Sequence, residues 1–272
     1  MPELPEVQTV ISTLEHMISR REISDIEILS PDVVLHDPDE FKSRLLHRHF
    51  LGFKRRGKYL IFEFEDVALV SHLRMEGKYF VESSDAPVRK HTHVLFHFTD
   101  GTDLRYHDVR RFGRMELIEK SDEYRDFHGL GPEPFSEEFN AVSCWKKTRT
   151  SQRSLKMTLM DQSFVAGIGN IYADEVCFRS GIRPESKVSK ISKARWELIV
   201  RNAKDVLSEA IEHGGSTVRS YTSSLGVTGL FQLHIDVYGR EGEPCHRCGT
   251  AIKKIRHGQR GTHYCPKCQR RL

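Results

Sequence analysis

Three features are missing from this chain, and each absence argues against a class of protein. No apolar run approaches the roughly 20 residues that a membrane-spanning helix needs, so we expect no membrane partner. The first residues, MPELPEVQTV, lack a basic stretch followed by an apolar one, which predicts a soluble protein that stays in the cytoplasm. There is also no internal repeat and no low-complexity segment, which argues against a repeat architecture.

Charge is spread unevenly along the chain. The 272 residues carry a formal net charge of +4. Residues 240–272 hold nine lysines and arginines against two glutamates, a balance of +7, which leaves −3 for residues 1–239. Such a tail attracts a polyanion, because each lysine or arginine that meets a phosphate releases condensed counterions. The composition favours a nucleic acid as partner, although a solvated basic face has the same composition.

The first half of the chain has the pattern of one helix followed by a sheet. Pro2 and Pro5 precede apolar residues at helical spacing, which predicts an amphipathic helix that begins near residues 3–6. From Ile23 to Glu119 the pattern changes to eight short alternating or apolar runs, separated by turn signals. We therefore expect an antiparallel β-sandwich or flattened barrel.

A break in this pattern separates the expected sheet from a helical second half. The stretch LGPEP at 130–134 interrupts the alternation, and helical periodicity returns after it. Two helices are expected over 154–180 and an amphipathic helix over 192–212, followed by short strands. We place the N-terminal β-sandwich domain at 1–135, a helical domain at 136–229 and a third module at 230–272. The predicted fold class is α+β.

Four of the six cysteines form two closely spaced pairs. Two residues separate Cys245 from Cys248 and Cys265 from Cys268, and 16 residues lie between the pairs. In a large chain without an export signal, this spacing argues for a metal over disulfides. Four thiolates complete a tetrahedral Zn²⁺ site with no open position, so we expect one structural zinc ion in a zinc ribbon. The ribbon carries several basic residues, which suits a groove of DNA, although a protein-binding ribbon has the same cysteine spacing.

A glycine-bearing turn at Gly167 and Gly169 joins the two helices expected over 154–180. We expect Asn170 at the N-cap of the second helix. Backbone N–H groups at a helix start can receive a phosphate, because that end of the helix is partly positive. A turn of this kind is also common as a packing device, so by itself it is a weak signal.

The N-terminus offers a possible nucleophile. Removal of Met1 would expose the secondary amine of Pro2, close to the carboxylates of Glu3 and Glu6. An amine must be neutral to attack, and a helix N-terminus with a nearby lysine disfavours its cation. Taken alone, a proline at a helix start is more simply explained by its preset φ angle.

Seven blocks together resemble one family, the bacterial formamidopyrimidine-DNA glycosylases. They are PELPEV (2–7), RGKYL (56–60), SHLRMEG (71–77), DVRRFG (108–113), GLGPEP (129–134), GNIYADE (169–175) and RGTH (260–263). They follow the family order over the whole chain, with a mild departure at Gln8, where many relatives carry an acid. The resemblance implies a helix-two-turn-helix in the helical domain and a bifunctional glycosylase and AP lyase of base excision repair.

By this resemblance, Pro2 attacks C1′ of an oxidised purine nucleotide such as 8-oxoguanine and forms a Schiff base. Glu3 would act as general acid and base, and Glu6 would support the site. Lys58 would hold a phosphate beside the lesion, and Arg260 would bind another from the zinc ribbon. β- and δ-elimination would then leave a one-nucleotide gap in the strand.

The resemblance also implies how a monomer would hold double-stranded DNA. The base must be flipped out, so Met75, Arg110 and Phe112 would fill the stack, with Arg110 facing the orphaned cytosine. Further contacts to DNA are implied for His72, His91, Lys156, Asn170, Tyr172, Arg219 and Tyr238. Glu76, Glu6, Ser216 and Thr217 would line the lesion pocket, and residues 216–231 would form a loop that closes over the base.

Two other interpretations fit parts of the sequence. An endonuclease VIII-like enzyme shares the architecture and the prolyl nucleophile but prefers oxidised pyrimidines, and Leu4 with the Arg110 and Phe112 pair favours the purine enzyme. A non-catalytic zinc-ribbon DNA-binding protein would leave Glu3, Glu6 and Lys58 without a role.

Overall fold

The computed structural model describes residues 1–120, 124, 127–216 and 230–272. The chain forms two compact units. Unit 1 comprises Met1–Tyr124 and Gly214–Leu230, and unit 2 comprises Arg125–His213 and Phe231–Leu272. The three-domain division at 135/136 and 229/230 stays a prediction. Within the described ranges, we find no helix of the length and apolarity that crossing a bilayer requires.

Unit 1 is an antiparallel β-sandwich with a helix at its N-terminus. Its helices are α1 (Leu4–Ile18) and α2 (Pro38–Leu45). Its strands are β1 (Ile23–Ile28), β2 (Gly52–Arg56), β3 (Tyr59–Glu63), β4 (Val67–His72), β5 (Lys78–Ser83), β6 (Thr92–Phe98), β7 (Thr102–His107) and β8 (Arg114–Glu119). One sheet has the order β1-β6-β7-β5 and the other β2-β3-β4-β8. All neighbouring strands are antiparallel.

Alternation along the strands supplies the core of unit 1. Side chains that point inward from both sheets, such as Phe62 and Phe96, meet the apolar face of α1 in one buried cluster. Because successive side chains of a strand point to opposite faces, the alternating runs in the sequence predict these strands. The expected helix and sheet are confirmed, and α1 begins within the expected range.

Helix α2 differs from the sequence prediction, which has only strands from Ile23 to Glu119. Asp37 caps it, with Oδ1 accepting the N–H groups of Asp39 (3.0 Å) and Glu40 (3.2 Å), and Pro38 opens the first turn. Only Phe41 and Leu45 are buried. An N-cap aspartate followed by proline is a helix-start signal, and the helix is only eight residues long.

Unit 2 is a group of helices followed by a hairpin. The helices are α3 (Ala141–Thr148), α4 (Leu155–Leu159), α5 (Asn170–Arg179) and α6 (Lys193–Glu212). The hairpin pairs β9 (Lys253–His257) with β10 (Arg260–Tyr264). The helices expected over 154–180 and 192–212 are present. One correction concerns the start of α5, where Gly169 is the N-cap and Asn170 is the first helical residue.

Candidate active site, DNA-contacting loops and metal centre

Three of the expected catalytic residues lie at the N-terminal turn of unit 1. Pro2 is buried directly before α1, and the exposed fractions of Glu3 and Glu6 are 3% and 7%. Oε2 of Glu6 accepts the N–H of Glu3 at 2.8 Å. Because Glu6 is the third residue of the helix, its side chain can turn back to an N–H that has no partner within the helix. Its carboxylate therefore closes the turn that follows Pro2.

The other oxygen of Glu6 binds a distant segment of unit 1. Oε1 accepts the N–H of Ser216 (2.8 Å) and its hydroxyl (3.0 Å). Gly215 precedes it with φ +79°, and a Cβ there would crowd the Glu6 side chain. Ser216 thus lies beside Glu6, whereas Thr217, Arg219 and most of the expected closing loop fall outside the described residues.

Lys58 lies in the two-residue turn between β2 and β3, and its side chain is 5% exposed. Gly57 takes φ 57°, the positive angle that the first central residue of a type II′ hairpin requires. Arg55 spans this turn and the helix, since Nη1 donates to O of Gly57 (2.9 Å) and Nε to Oε1 of Gln8 on α1 (3.1 Å). We did not expect this role for Arg55, which ties the Lys58 turn to the helix that follows Pro2.

The residues expected to enter the DNA stack are exposed. Met75 is 37% exposed and Phe112 is 47% exposed, although pattern alone predicts core positions for both. The Arg110 guanidinium lies 4.6 Å from the centre of the Phe112 ring. Large apolar side chains standing in solvent next to a basic group are typical of a binding surface.

The remaining expected contacts of unit 1 differ in their surroundings. His72 is buried, and its Nδ1 accepts the N–H of Arg74 at 2.9 Å. His91 is partly exposed with φ 70°, and its ring lies 6.0 Å from that of His107. Glu76 is also partly exposed. His72 therefore helps to fix the start of the turn that carries Met75.

In unit 2, Asn170 opens α5, and its Nδ2 donates to the hydroxyl of Tyr238 at 3.4 Å. Tyr238 is partly exposed, and its ring lies 5.1 Å from that of His263. Tyr172 has no exposed surface and packs against Phe231. The structure therefore brings Asn170 and Tyr238 together, while Tyr172 belongs to the interior of unit 2.

Lys156 occupies a different environment from the one that a DNA contact requires. Its ammonium lies 2.8 Å from Oδ1 of Asp174, and neither side chain has exposed surface. It also donates to O of Gly261 (3.0 Å) and to the hydroxyl of Thr262 (2.8 Å). Oδ2 of Asp174 accepts the N–H of His263 at 2.8 Å. Lys156 and Asp174 thus hold strand β10 against the helices from inside the unit.

Glu175, the next residue of α5, holds a second segment of unit 2. Its carboxylate is fully buried and accepts the N–H groups of Asp236 (2.8 Å), Val237 (3.0 Å) and Tyr238 (2.9 Å). Burial raises the pKa of Glu175 to about 7, against the opposing effect of these three donors. Neither Asp174 nor Glu175 is among the site residues predicted from the sequence. Two adjacent acids in a helix of otherwise apolar character were the available signal.

The four paired cysteines form a metal centre. Their sulfur atoms all lie within 4.8 Å of one another, with 3.9 Å between Cys245 and Cys268 and 3.5 Å between Cys248 and Cys265. Zinc–sulfur bonds of about 2.3 Å in a tetrahedron require sulfur separations of about 3.8 Å. The thiols therefore fit one structural zinc ion, which would fix the ribbon without taking part in the reaction.

The hairpin of this ribbon presents Arg260. Gly258 and Gln259 form its two-residue turn with φ 54° and 60°, as a type I′ turn requires. Arg260 follows directly and is exposed. The basic side chain that was expected to reach a phosphate is thus held at the tip of a regular hairpin.

Comparison with known families agrees with this architecture. The model of the formamidopyrimidine-DNA glycosylase N-terminal domain matches residues 1–115, and that of the formamidopyrimidine-DNA glycosylase H2TH domain matches residues 130–222. The model of a zinc finger found in FPG and IleRS matches residues 242–271. The fold and the metal centre therefore define a DNA glycosylase with a zinc finger, and the expected zinc ribbon is confirmed.

The chain belongs to the formamidopyrimidine-DNA glycosylase family, whose members combine glycosylase and AP lyase activity. It is 46% identical to the formamidopyrimidine-DNA glycosylase of Bacillus licheniformis, with 100% of both chains covered, and 47% identical to that of Ligilactobacillus salivarius, with 99% of both covered. Among solved structures, it resembles Lactococcus lactis Fpg in complex with an abasic site containing DNA (TM-score 0.93, 43% identity, 99% and 100% covered). It is equally similar to the wild-type Lactococcus lactis enzyme with N7-benzyl-Fapy-dG containing DNA (TM-score 0.93, 42% identity, the same coverage).

Proposed function

We propose that the chain excises oxidised purines, such as 8-oxoguanine and formamidopyrimidines, from double-stranded DNA and then cleaves the strand. The observation that carries this proposal is the burial of Pro2 at the start of α1, beside the carboxylates of Glu3 and Glu6. Support for the substrate class comes from the relatives, which are named for formamidopyrimidine, and from the solved complex of the Lactococcus lactis enzyme with N7-benzyl-Fapy-dG containing DNA.

The proposed reaction begins when the neutral amine of Pro2, freed by removal of Met1, attacks C1′ of the flipped nucleotide. The bond from C1′ to the base nitrogen breaks, and the base leaves with the proton that the Pro2 amine gives up. The bond from C1′ to the ring oxygen O4′ then breaks, O4′ takes a proton, and the nitrogen of Pro2 becomes part of an iminium. Glu3 is the proton donor and acceptor at the sugar. The iminium withdraws electrons, so loss of a C2′ proton expels the 3′ phosphate, and a second elimination expels the 5′ phosphate.

The neighbouring groups have supporting roles in this proposal. Glu6 is held by three donors, so it keeps the first turn of α1 in place and does not transfer protons. Lys58 binds a phosphate beside the lesion and, as a nearby positive charge, disfavours the cationic form of the Pro2 amine. Lys58→Ala should therefore slow cleavage more than it weakens DNA binding.

The DNA contacts in this proposal follow the expected set, apart from Lys156 and Tyr172, whose side chains have no exposed surface. Met75, Arg110 and Phe112 fill the space of the flipped nucleotide, which their exposure supports. Asn170 and Arg260 bind phosphates, and both lie at exposed or partly exposed positions. The other proposed contacts and pocket residues are His72, His91, Glu76, Ser216, Thr217, Arg219 and Tyr238. The protein acts as a monomer, because one lesion needs one copy of each element.

Borohydride trapping tests the proposal. The purified protein, with its N-terminal mass recorded, is incubated with sodium borohydride and a duplex that carries 8-oxoguanine opposite cytosine. Reduction of the iminium should give a covalent complex, and peptide mass mapping should locate the DNA on Pro2. A matched duplex with thymine glycol should be trapped much more slowly.

Two control proteins sharpen the experiment. A chain that retains an extra residue before Pro2 should give no adduct, because its Pro2 nitrogen is part of an amide. Pro5→Gly removes the other proline near the N-terminus and leaves the amine of Pro2 free to react, so this variant should still be trapped at Pro2. Preferred trapping on thymine glycol would instead indicate an endonuclease VIII-like enzyme. If protein that lacks Met1 gives no adduct with either duplex, the remaining interpretation is a non-catalytic zinc-ribbon DNA-binding protein.

A further inference from the structure

A single buried carboxylate holds the loop that carries Arg110 and Phe112. Asp108 has no exposed surface. Its Oδ1 accepts the N–H of Arg110 at 3.0 Å, and its Oδ2 accepts the N–H groups of Phe112 and Gly113, both at 2.9 Å. Hydrogen bonds to an ionised acceptor are about twice as strong as neutral ones. The backbone of the loop is therefore fastened at both residues whose side chains stand in solvent.

The backbone of Asp108 is itself fixed to the start of the neighbouring strand β6. Its N–H donates to O of His91 at 3.0 Å, and its own O accepts from Nε2 of His93 at 2.7 Å. Arg111 then takes φ 51°, a left-handed angle that is unfavourable for residues other than glycine. A loop with such a residue needs compensating contacts to hold one conformation, and the bonds of Asp108 supply them.

The same support extends to the turn that carries Met75. The hydroxyl of Tyr106 lies 3.5 Å from Oδ2 of Asp108. A Cβ added at Gly113 or at Gly77 would overlap this hydroxyl. Tyr106 thus lies directly beneath both exposed segments, and glycine is needed at each point where the backbone crosses it.

We propose that Asp108 is a positioning residue that holds Arg110 and Phe112 in the orientation needed to enter the DNA stack. This inference rests on the proposed function, in which those side chains fill the space of the flipped nucleotide. Asp108 does not touch DNA. It orders the loop before DNA arrives, so that binding does not have to supply the cost of ordering.

The test compares two abasic substrates. In duplex DNA, Arg110 and Phe112 have to fill the space of the flipped nucleotide and face the orphaned base. A single strand with an abasic site has no orphaned base, so its cleavage does not need these side chains in the stack. Asp108→Asn retains the shape but offers one acceptor oxygen where the loop needs two. We expect cleavage of the duplex abasic site to fall by about 10- to 100-fold in kcat/KM, from the loss of a charge-assisted bond. Cleavage of the single-stranded site should change by less than about twofold.

Asp103→Asn is the matched control, because Asp103 is an equally buried acid that lies near the start of β7, whereas Asp108 directly follows the end of that strand. Asp103 bonds Ser84, His97 and Arg105. Any loss of kcat/KM that Asp103→Asn causes should be equal for the duplex and the single-stranded abasic site. Asp108→Asn in the Phe112→Ala background should add little on the duplex, because both changes then act through the same side chain.

Several results would overturn this role. Equal losses on both substrates by a folded Asp108→Asn protein, or no loss on either, would each do so. If that variant lacks a normal melting transition, Gly113→Ala tests the same loop, because its Cβ forces the backbone away from Tyr106 and Asp108. Equal losses of kcat/KM on the two substrates by Gly113→Ala would also contradict the proposed role. A wild-type protein that cleaves neither substrate would instead refute the proposed function, and the role of Asp108 with it.

Discussion

Lys156 is the residue whose expected role and observed position differ most. Replacing it tests whether this lysine contacts DNA or stabilises the interior of unit 2. By resemblance it contacts DNA, whereas in the structure its ammonium is paired with Asp174 where neither side chain is exposed. Lys156→Met keeps most of the aliphatic length and removes the charge. It would leave the Asp174 carboxylate buried, with only the donors of His263 nearby.

The magnitude follows from that burial. Removing one partner of a buried ion pair costs about 3–5 kcal/mol, because the remaining charge has no compensation. For a chain of this size, such a loss corresponds to a fall in Tm of roughly 10 °C. A lysine that meets a phosphate would instead add about 0.9 to the slope of log K against log salt concentration. A buried Lys156 adds nothing to that slope.

Two assays on the same variant distinguish these outcomes. Calorimetry measures the Tm, and fluorescence anisotropy measures binding to a duplex with an abasic analogue over a series of salt concentrations. Lys146→Met, which removes an exposed lysine of α3, should change the free energy of unfolding by less than about 0.5 kcal/mol. Lys156→Met with Asp174→Asn should recover part of the lost stability. If Lys156→Met leaves the Tm unchanged and makes the salt-dependence slope less steep by about one, the buried pairing is refuted and Lys156 contacts a phosphate of DNA.

Three further predictions concern the metal, acid stability and the Glu6 contact. Native mass spectrometry should find one zinc ion per chain, and a strong chelator should abolish DNA binding along with the structure of the ribbon; full binding by metal-free protein would contradict this. Burial would raise the pKa of Asp103, but bonds from Ser84, His97 and Arg105 outweigh it and hold the pKa below its usual value of 3.8. The stability from this shift is present above that value and is lost as the pH falls through the lower folded-state pKa, so Asp103→Asn should reduce the acid dependence of urea unfolding below pH 4; an unchanged dependence would be the contrary result. Ser216→Ala removes one of three donors to Glu6 and should cost about 1–2 kcal/mol in urea unfolding, whereas a null effect would show that the hydroxyl bond contributes nothing.

The elements that could be predicted from the sequence are those whose signal is local. Eight short alternating or apolar runs predict the eight strands of unit 1. Burial of one face imposes a period of two residues, and a strand that is buried on both faces, such as β4, gives a continuous apolar run. The zinc ribbon was equally clear from cysteine spacing alone. Helix α2 was missed because it buries only Phe41 and Leu45, too few residues to show a helical period.

The buried acids could not be predicted, because their partners come from distant parts of the chain. The carboxylate of Asp174 is balanced by Lys156 and by the backbone of His263, 89 residues further along. Glu175 is satisfied by backbone N–H groups more than 60 residues away. The exposure of Phe112 has the opposite origin: its type predicts the core, and the buried carboxylate of Asp108 holds its backbone at the surface.

The bonds between Glu6 and Ser216 have a consequence for how the protein is made. Gly214, Gly215 and Ser216 belong to unit 1, although they follow the helices of unit 2 in the chain. A nascent chain that has emerged only as far as Tyr124 contains Pro2, Glu3 and Lys58, yet its Glu6 has no Ser216 to bind. The surroundings of Glu6 are thus completed only when most of the polypeptide has left the ribosome. Expression of residues 1–124 alone would give a sandwich whose Glu6 lacks its bonds to Ser216. Because unit 1 consists of two separate segments of the chain, no single cut in the gene separates the two units intact.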